Sequence, residues 1–301
     1  MKKLNILLIV LMISFLGFSQ EDEDTQRSVI QEYTPSILLK KGQWDIKWFN
    51  NLYTQTESTF TDGTEPRETY LTSTLEIFTG VSENSSFNLG LLLEFRTNVV
   101  ADRNSFEVFQ FDGEFGTARS GFTSFAPAIK FNPIKSVGNF TIQTALHIPL
   151  VDNEVEDIIL DDQGNQLNNG VFLDQNGFFI QNRFFYDYSF ADGDWQIFTE
   201  LNTEYSFPKD DSLWDNSLRL SPGVFLSYFP SSKFTVLGLV QHTQLLAFET
   251  DGFEQDFTAL GGGAKYQLTD ELNVELLYTN FVRGNDTGLG QTFNIGLRAL
   301  F

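Results

Sequence analysis

Gln291-Thr292-Phe293-Asn294-Ile295-Gly296-Leu297-Arg298-Ala299-Leu300-Phe301 ends the chain, and it alternates. Phe293, Ile295, Leu297, Ala299 and Phe301, with Leu289 and Gln291 ahead of them, fall on one face of an extended strand. Thr292, Asn294, Gly296 and Arg298 fall on the other. An apolar face that closes on an aromatic residue, backed by a polar face carrying an arginine, fits a strand set between lipid and a polar lumen.

The same alternation recurs upstream. Strands are expected near 43–56, 68–81, 87–99, 119–132, 140–151, 177–190, 195–207, 217–229, 233–247, 257–268, 271–282 and 289–301. Short connections at 82–86, 133–139, 191–194, 230–232 and 269–270 hold the Asn, Gly, Asp, Ser and Pro that tight turns need. Longer ones fall at 57–67, 100–118, 152–176, 208–216, 248–256 and 283–288. Short turns at one end and long loops at the other predict an all-β, antiparallel transmembrane β-barrel of about 12 strands with periplasmic termini. Aromatic residues agree. Phe87, Phe131, Phe140, Tyr188, Phe190, Trp195, Tyr228, Phe234, Tyr266 and Phe301 all lie near a short turn or the C-terminus, where a periplasmic-side girdle belongs. A secreted β-sandwich would also alternate, but it explains neither the loop lengths nor the girdle.

Parity then assigns the interior. Asp45, Lys47, Glu76, Glu94, Arg96, Lys130, His147, Arg183, Asp187, Glu200, Glu204, Arg219, Lys265, Glu275 and Arg298 point inward and are the pore-lining candidates. Seven are acids and seven are Lys or Arg. Their gathering on one face is itself a sign of a polar interior, because charge on a lipid face is strongly disfavoured. Opposite charges across a narrow lumen can pair and partly fill it. They can equally stand as facing ladders along a small water-filled passage.

Catalytic constellations are thin. Only two histidines occur. His147 points inward and is followed two residues on by Pro149; His242, of ambiguous face, is followed by Gln244. Neither supplies the His-x-Ser, facing lipid, of the twelve-stranded outer-membrane phospholipase. Glu200 and Glu204 are four strand positions apart, roughly 13 Å, too far for direct acid–base cooperation. Metal sites built from clustered His or Cys are excluded by count, and no cofactor is expected.

Lys2 and Lys3, the apolar stretch Leu4–Phe18 and Gly17-Phe18-Ser19 read as a secretory signal peptide, 1–19, cut after Ser19. Residues 20–42 form a periplasmic lead-in and 43–301 the barrel. The absence of cysteine excludes a lipoprotein anchor and any disulfide. Loss of the two leader lysines takes the net charge from −21 to −23, which excludes nucleic-acid binding through a basic patch and favours cationic partners. The surplus acids sit mostly in loops. The 152–176 loop carries Asp152, Glu154, Glu156, Asp157, Asp161, Asp162 and Asp174 with no Lys or Arg, and divalent cations are the partners such oxygens suit. Asp161-Asp162-Gln163-Gly164-Asn165 lacks the acid spacing of a dedicated calcium loop, and its Asp-Gln-Gly-Asn reads as a hairpin tip.

The Lys2-Lys3 start, Phe18-Ser19-Gln20, the abundance of Phe and the closing Asn294–Phe301 run together resemble outer-membrane β-barrels of Bacteroidota. The acidic alternating pattern is also similar to the transporter barrels of the phenol meta-pathway group. That resemblance implies passive solute passage and supplies no functional residues; the charge pattern adds the expectation of an outer-membrane channel for a small polar or cationic solute. The expected partners are outer-membrane lipid and the barrel-assembly machinery, met through Phe301. The alternative is a closed barrel acting through its acidic extracellular loops.

Overall fold

The computed structural model describes residues 34–61, 63–111, 113, 116–151, 159–160, 166–167, 173, 177–207, 216–248 and 254–301. The expected leader, the first part of the lead-in and all seven acids of the 152–176 loop lie outside them. The described chain forms one closed antiparallel barrel. Its strands are β1 (Trp44–Gln55), β2 (Glu68–Gly80), β3 (Phe87–Val99), β4 (Ala118–Phe131), β5 (Phe140–Pro149), β6 (Phe178–Phe190), β7 (Trp195–Phe207), β8 (Ser217–Ser231), β9 (Phe234–Ala247), β10 (Glu254–Gln267), β11 (Leu272–Asn285) and β12 (Gln291–Leu300). Each pairs with its chain neighbours. The C-terminal strand closes the ring against β1, from Asp45 opposite Leu300 to Thr54 opposite Gln291. Closure leaves no backbone edge to face lipid. The hairpin tip expected at 162–165 lies outside the described residues, among which Ile159–Leu160 pairs with Gln166–Leu167.

The outer face is apolar along its length, with Leu89, Leu91, Val236, Leu260, Leu276 and Ile295 exposed. The periplasmic girdle forms as rings in contact: Phe190 on Trp195 at 6.4 Å and Trp195 on Tyr228 at 4.7 Å. A second girdle at the other end includes Tyr205, packed against Phe207 and Phe248. Polar side chains on the lipid face are satisfied locally. Trp48 Nε1 donates to Ser73 Oγ at 2.8 Å, and Thr144 Oγ1 donates to Asn182 Oδ1 at 2.8 Å. In hydrocarbon each such pair removes a group that would otherwise go unsatisfied.

Two segments outside the strands take places that alternation does not reveal. The 100–118 connection does not stand free above the barrel. Asn104 caps a short 3-10 helix, Ser105–Gln110, and Glu107 closes the capping box. That helix lies on the outside of the wall, where Val108 packs with Leu71, Val99 and Ala118, all outward by parity. The lead-in, in turn, folds into the periplasmic end. Leu39 is 3% exposed and joins Phe78, Leu92, Ala126, Ala128, Ala145 and Leu300 in the largest buried apolar cluster. Asn88 clamps it, accepting from Leu39 N at 2.9 Å and donating to Leu39 O at 3.1 Å. Gly80 is needed there: the Lys40 carbonyl lies where a Cβ would stand.

Candidate functional site

The lumen holds a cavity of about 1330 Å³. Gln55, Gln255 and Thr287 border it near the extracellular loops, and Phe229, Thr235, Asn273 and Arg298 border it near the periplasmic turns. Thr34 and Pro35 of the lead-in reach its lower part. From the long 152–176 loop, Leu173 is buried in the lumen, and its carbonyl accepts from Arg96 Nη1 at 3.1 Å.

Lys47, Glu76, Glu94, Arg96, His147, Arg183, Glu200, Arg219, Lys265, Glu275 and Arg298 border this cavity. Asp45, Lys130, Asp187 and Glu204 face inward without bordering it. Asp45 is held bidentate by Arg298, at 2.8 and 2.9 Å. Asp187 is covered by the lead-in, accepting from Thr34 at 2.9 Å and also from Ser36 and Gln196. Glu204 is held by Arg219 at 3.0 Å, Asn202 at 2.9 Å and Gln181 at 3.2 Å. His147 stacks on Phe179 at 4.0 Å, and its Nδ1 lies 3.1 Å from Ser124 Oγ. His242 is placed on the outer face, 3.0 Å from Thr258 Oγ1.

The charges do not stand as two opposed ladders. They pair side by side, and six of them form one connected belt. Arg298 holds Asp45, Lys47 lies 3.5 Å from Asp45 and 3.8 Å from Glu76, and Arg183 donates to both Glu76 and Glu200 at 2.7 Å. Three strands separate β2 from β6 around the wall, so the Arg183–Glu76 bridge is a chord through the interior. Behind it, toward the periplasmic end of β3–β5, Leu92, Ala126, Ala128 and Ala145 are buried together with Phe78. Gly90 has no side chain, and the Phe78 ring lies over it. In front of it lies the cavity, against β7–β12.

Parity logic alone misses the far wall. Phe225, Leu237, Leu239, Leu245, Phe257, Leu277 and Phe281 face the lumen across from this belt. The signal available in the sequence is Val236-Leu237-Gly238-Leu239-Val240, where alternation fails because both faces are apolar.

Lys130 sits in the packed region, 3% exposed, with its Nζ 4.9 Å from the Phe78 centroid and 5.5 Å from that of Phe185. Among the described residues it makes no ion pair within 4.0 Å. A cation–π contact contributes about 2 kcal/mol, less than the several kcal/mol that desolvating an ammonium costs. Lys130→Met, which keeps the stem, is therefore expected to raise unfolding free energy in urea by about 1 kcal/mol. A loss of similar size would mean that long-range attraction to Asp45 and Glu76 outweighs desolvation.

No family model matches the chain, and no curated protein matches it. Solved structures do. The chain is similar to an outer-membrane channel from Pseudomonas putida, with a TM-score of 0.63 at 10% identity over 89% of this chain and 99% of that one. It is also similar to the β domain of the Bordetella autotransporter BrkA, with a TM-score of 0.55 at 12% identity over 86% of this chain and 99% of that one. The shared fold is the outer-membrane β-barrel, and with its apolar belt and aromatic girdles the chain is an outer-membrane protein.

Proposed function

We propose that the barrel is a narrow passive channel for small solutes carrying a polar or cationic group. One observation carries this reading: a single cavity borders residues from both ends of the barrel, beside a connected belt of ion pairs. The lumen candidates are balanced in sign, so the surplus negative charge of −21 lies elsewhere and draws cations toward the mouth. The likeness of the fold to an outer-membrane channel from Pseudomonas putida supports the same direction. A second reading, a closed barrel acting through its acidic loops, is favoured by the lead-in that reaches the cavity floor.

Residues 20–301, refolded in detergent and inserted into a planar bilayer under a salt gradient, are expected to give stable current steps with a cation-selective reversal potential. Glu200→Gln should move that potential toward anions, since Arg183 then keeps one carboxylate instead of two. Silence from a folded, heat-modifiable barrel would favour the closed-barrel reading.

A further inference from the structure

The lumen has two chemically different walls, and its cavity lies between them. On one side stand the belt carboxylates and guanidinia of β1, β2, β6 and β7. On the other, β8–β11 carry an apolar patch set among inward polar residues such as Ser221, Gln241 and Thr243. Leu239 pairs with Gly261, and Leu237 with Gly263, which in turn faces Leu277 on the next strand. The two glycines occupy inward positions of β10 and put no side chain between the leucines. A shallow apolar groove results. Above it Phe257 and Phe281 stack at 4.1 Å with their planes 8° apart, and Phe225 flanks it on β8. Below it Lys265 and Glu275 pair with each other.

A lumen for fully hydrated ions or sugars gains nothing from such a wall. Apolar side chains facing water are a cost to the folded barrel unless something apolar covers them. Leu237 and Leu239 form the base of the groove, 5% and 7% exposed, while Phe225, Leu277, Phe257 and Phe281 are half-buried and border the cavity. What fits the space is a solute with two faces.

We propose that this channel is selective for small amphipathic solutes, in which an aromatic or branched aliphatic body moves along the β8–β11 groove while a charged or hydrogen-bonding group faces the ion-pair belt. This rests on the channel reading above and sharpens its solute class. Contact with the groove replaces the water lost from the apolar body, and the belt replaces the water lost from the head. An amphipathic solute therefore enters more favourably than a wholly polar one of smaller size.

The test uses zwitterions that share one head and differ in side chain. Liposomes containing the refolded barrel are placed in iso-osmolar L-serine, L-leucine or L-phenylalanine, and swelling rates are recorded against protein-free vesicles. The expected order is leucine and phenylalanine at least as fast as serine, with Leu239→Asn reversing it. If that variant does not fold, the same question is read on the unaltered barrel: phenylalanine should reduce the single-channel ion current at concentrations where serine does not. Rates that fall with size, serine first, overturn the amphipathic proposal and leave the channel standing. An order unchanged by a folded Leu239→Asn also overturns it, because the groove is then not its cause. No swelling with any solute, together with no ion current, removes the channel reading and the proposal with it.

Discussion

Arg183→Ala is expected to lower the unfolding free energy of the barrel by about 3–5 kcal/mol, the range for removing one partner of a buried charge pair. Arg183 serves two carboxylates at once. Its Nη1 meets Glu76 and its Nε meets Glu200, each at 2.7 Å, and its guanidinium lies 5.0 Å from the Phe185 ring. Alanine would leave two carboxylates facing each other, their side chains 12% and 15% exposed, with Lys47 at 3.8 Å as the nearest remaining cation for Glu76. Because the bridge is a chord from β6 to β2, its loss also frees the packed side of the lumen to shift. Urea titration followed by the fluorescence of the four tryptophans measures the effect. The triple variant with Glu76→Gln and Glu200→Gln should recover most of the loss, since nothing charged is then left unpaired. A loss below about 1 kcal/mol, the size of an exposed pair, would mean that water reaches the belt and solvates it freely.

The second large effect concerns the lead-in. Ser36→Asp combined with Leu39→Asp is expected to expel residues 34–39 from the periplasmic end and raise single-channel conductance severalfold, with the barrel intact. Ser36 is fully buried and donates to Asp187, so an aspartate there sets two carboxylates in contact. Leu39 supplies the main apolar anchor, about 2 kcal/mol for a buried leucine, and an aspartate in its place would have to carry charge into the Phe78–Leu92–Leu300 cluster. The strand ladders do not depend on either residue. Conductance equal to that of the unaltered barrel, with the lead-in newly cleaved by protease, would show that the segment does not obstruct the passage.

Alternation at Gln291–Phe301 determined a good deal by itself. Period two needs no knowledge of neighbours, because successive side chains of any strand point opposite ways. Hence strand positions, the inward parity of Arg183 or Glu275, the periplasmic girdle and the short–long loop pattern are all legible in the chain. His242 shows the limit of this: near a strand end, between Gln241 and Thr243, no apolar face marks which side is out, and only the pairing with Thr258 on β10 places it.

Tertiary structure decided what happens inside the ring. Sequence says that Arg183, Glu76 and Glu200 share a lumen, but their partnership depends on ring diameter and strand tilt, which emerge only on closure. The rule that inner faces are polar hid Leu237, Leu239, Phe257 and Phe281, because a lumen wall is polar only where water or ions must touch it. The lead-in's place against Asn88 and Asp187 rests on contacts between residues 49 and 151 positions apart, and the 3-10 helix's place on the outer wall on Val108 packing with Leu71 of β2. Such contacts are fixed by packing in three dimensions, and local pattern carries no trace of them.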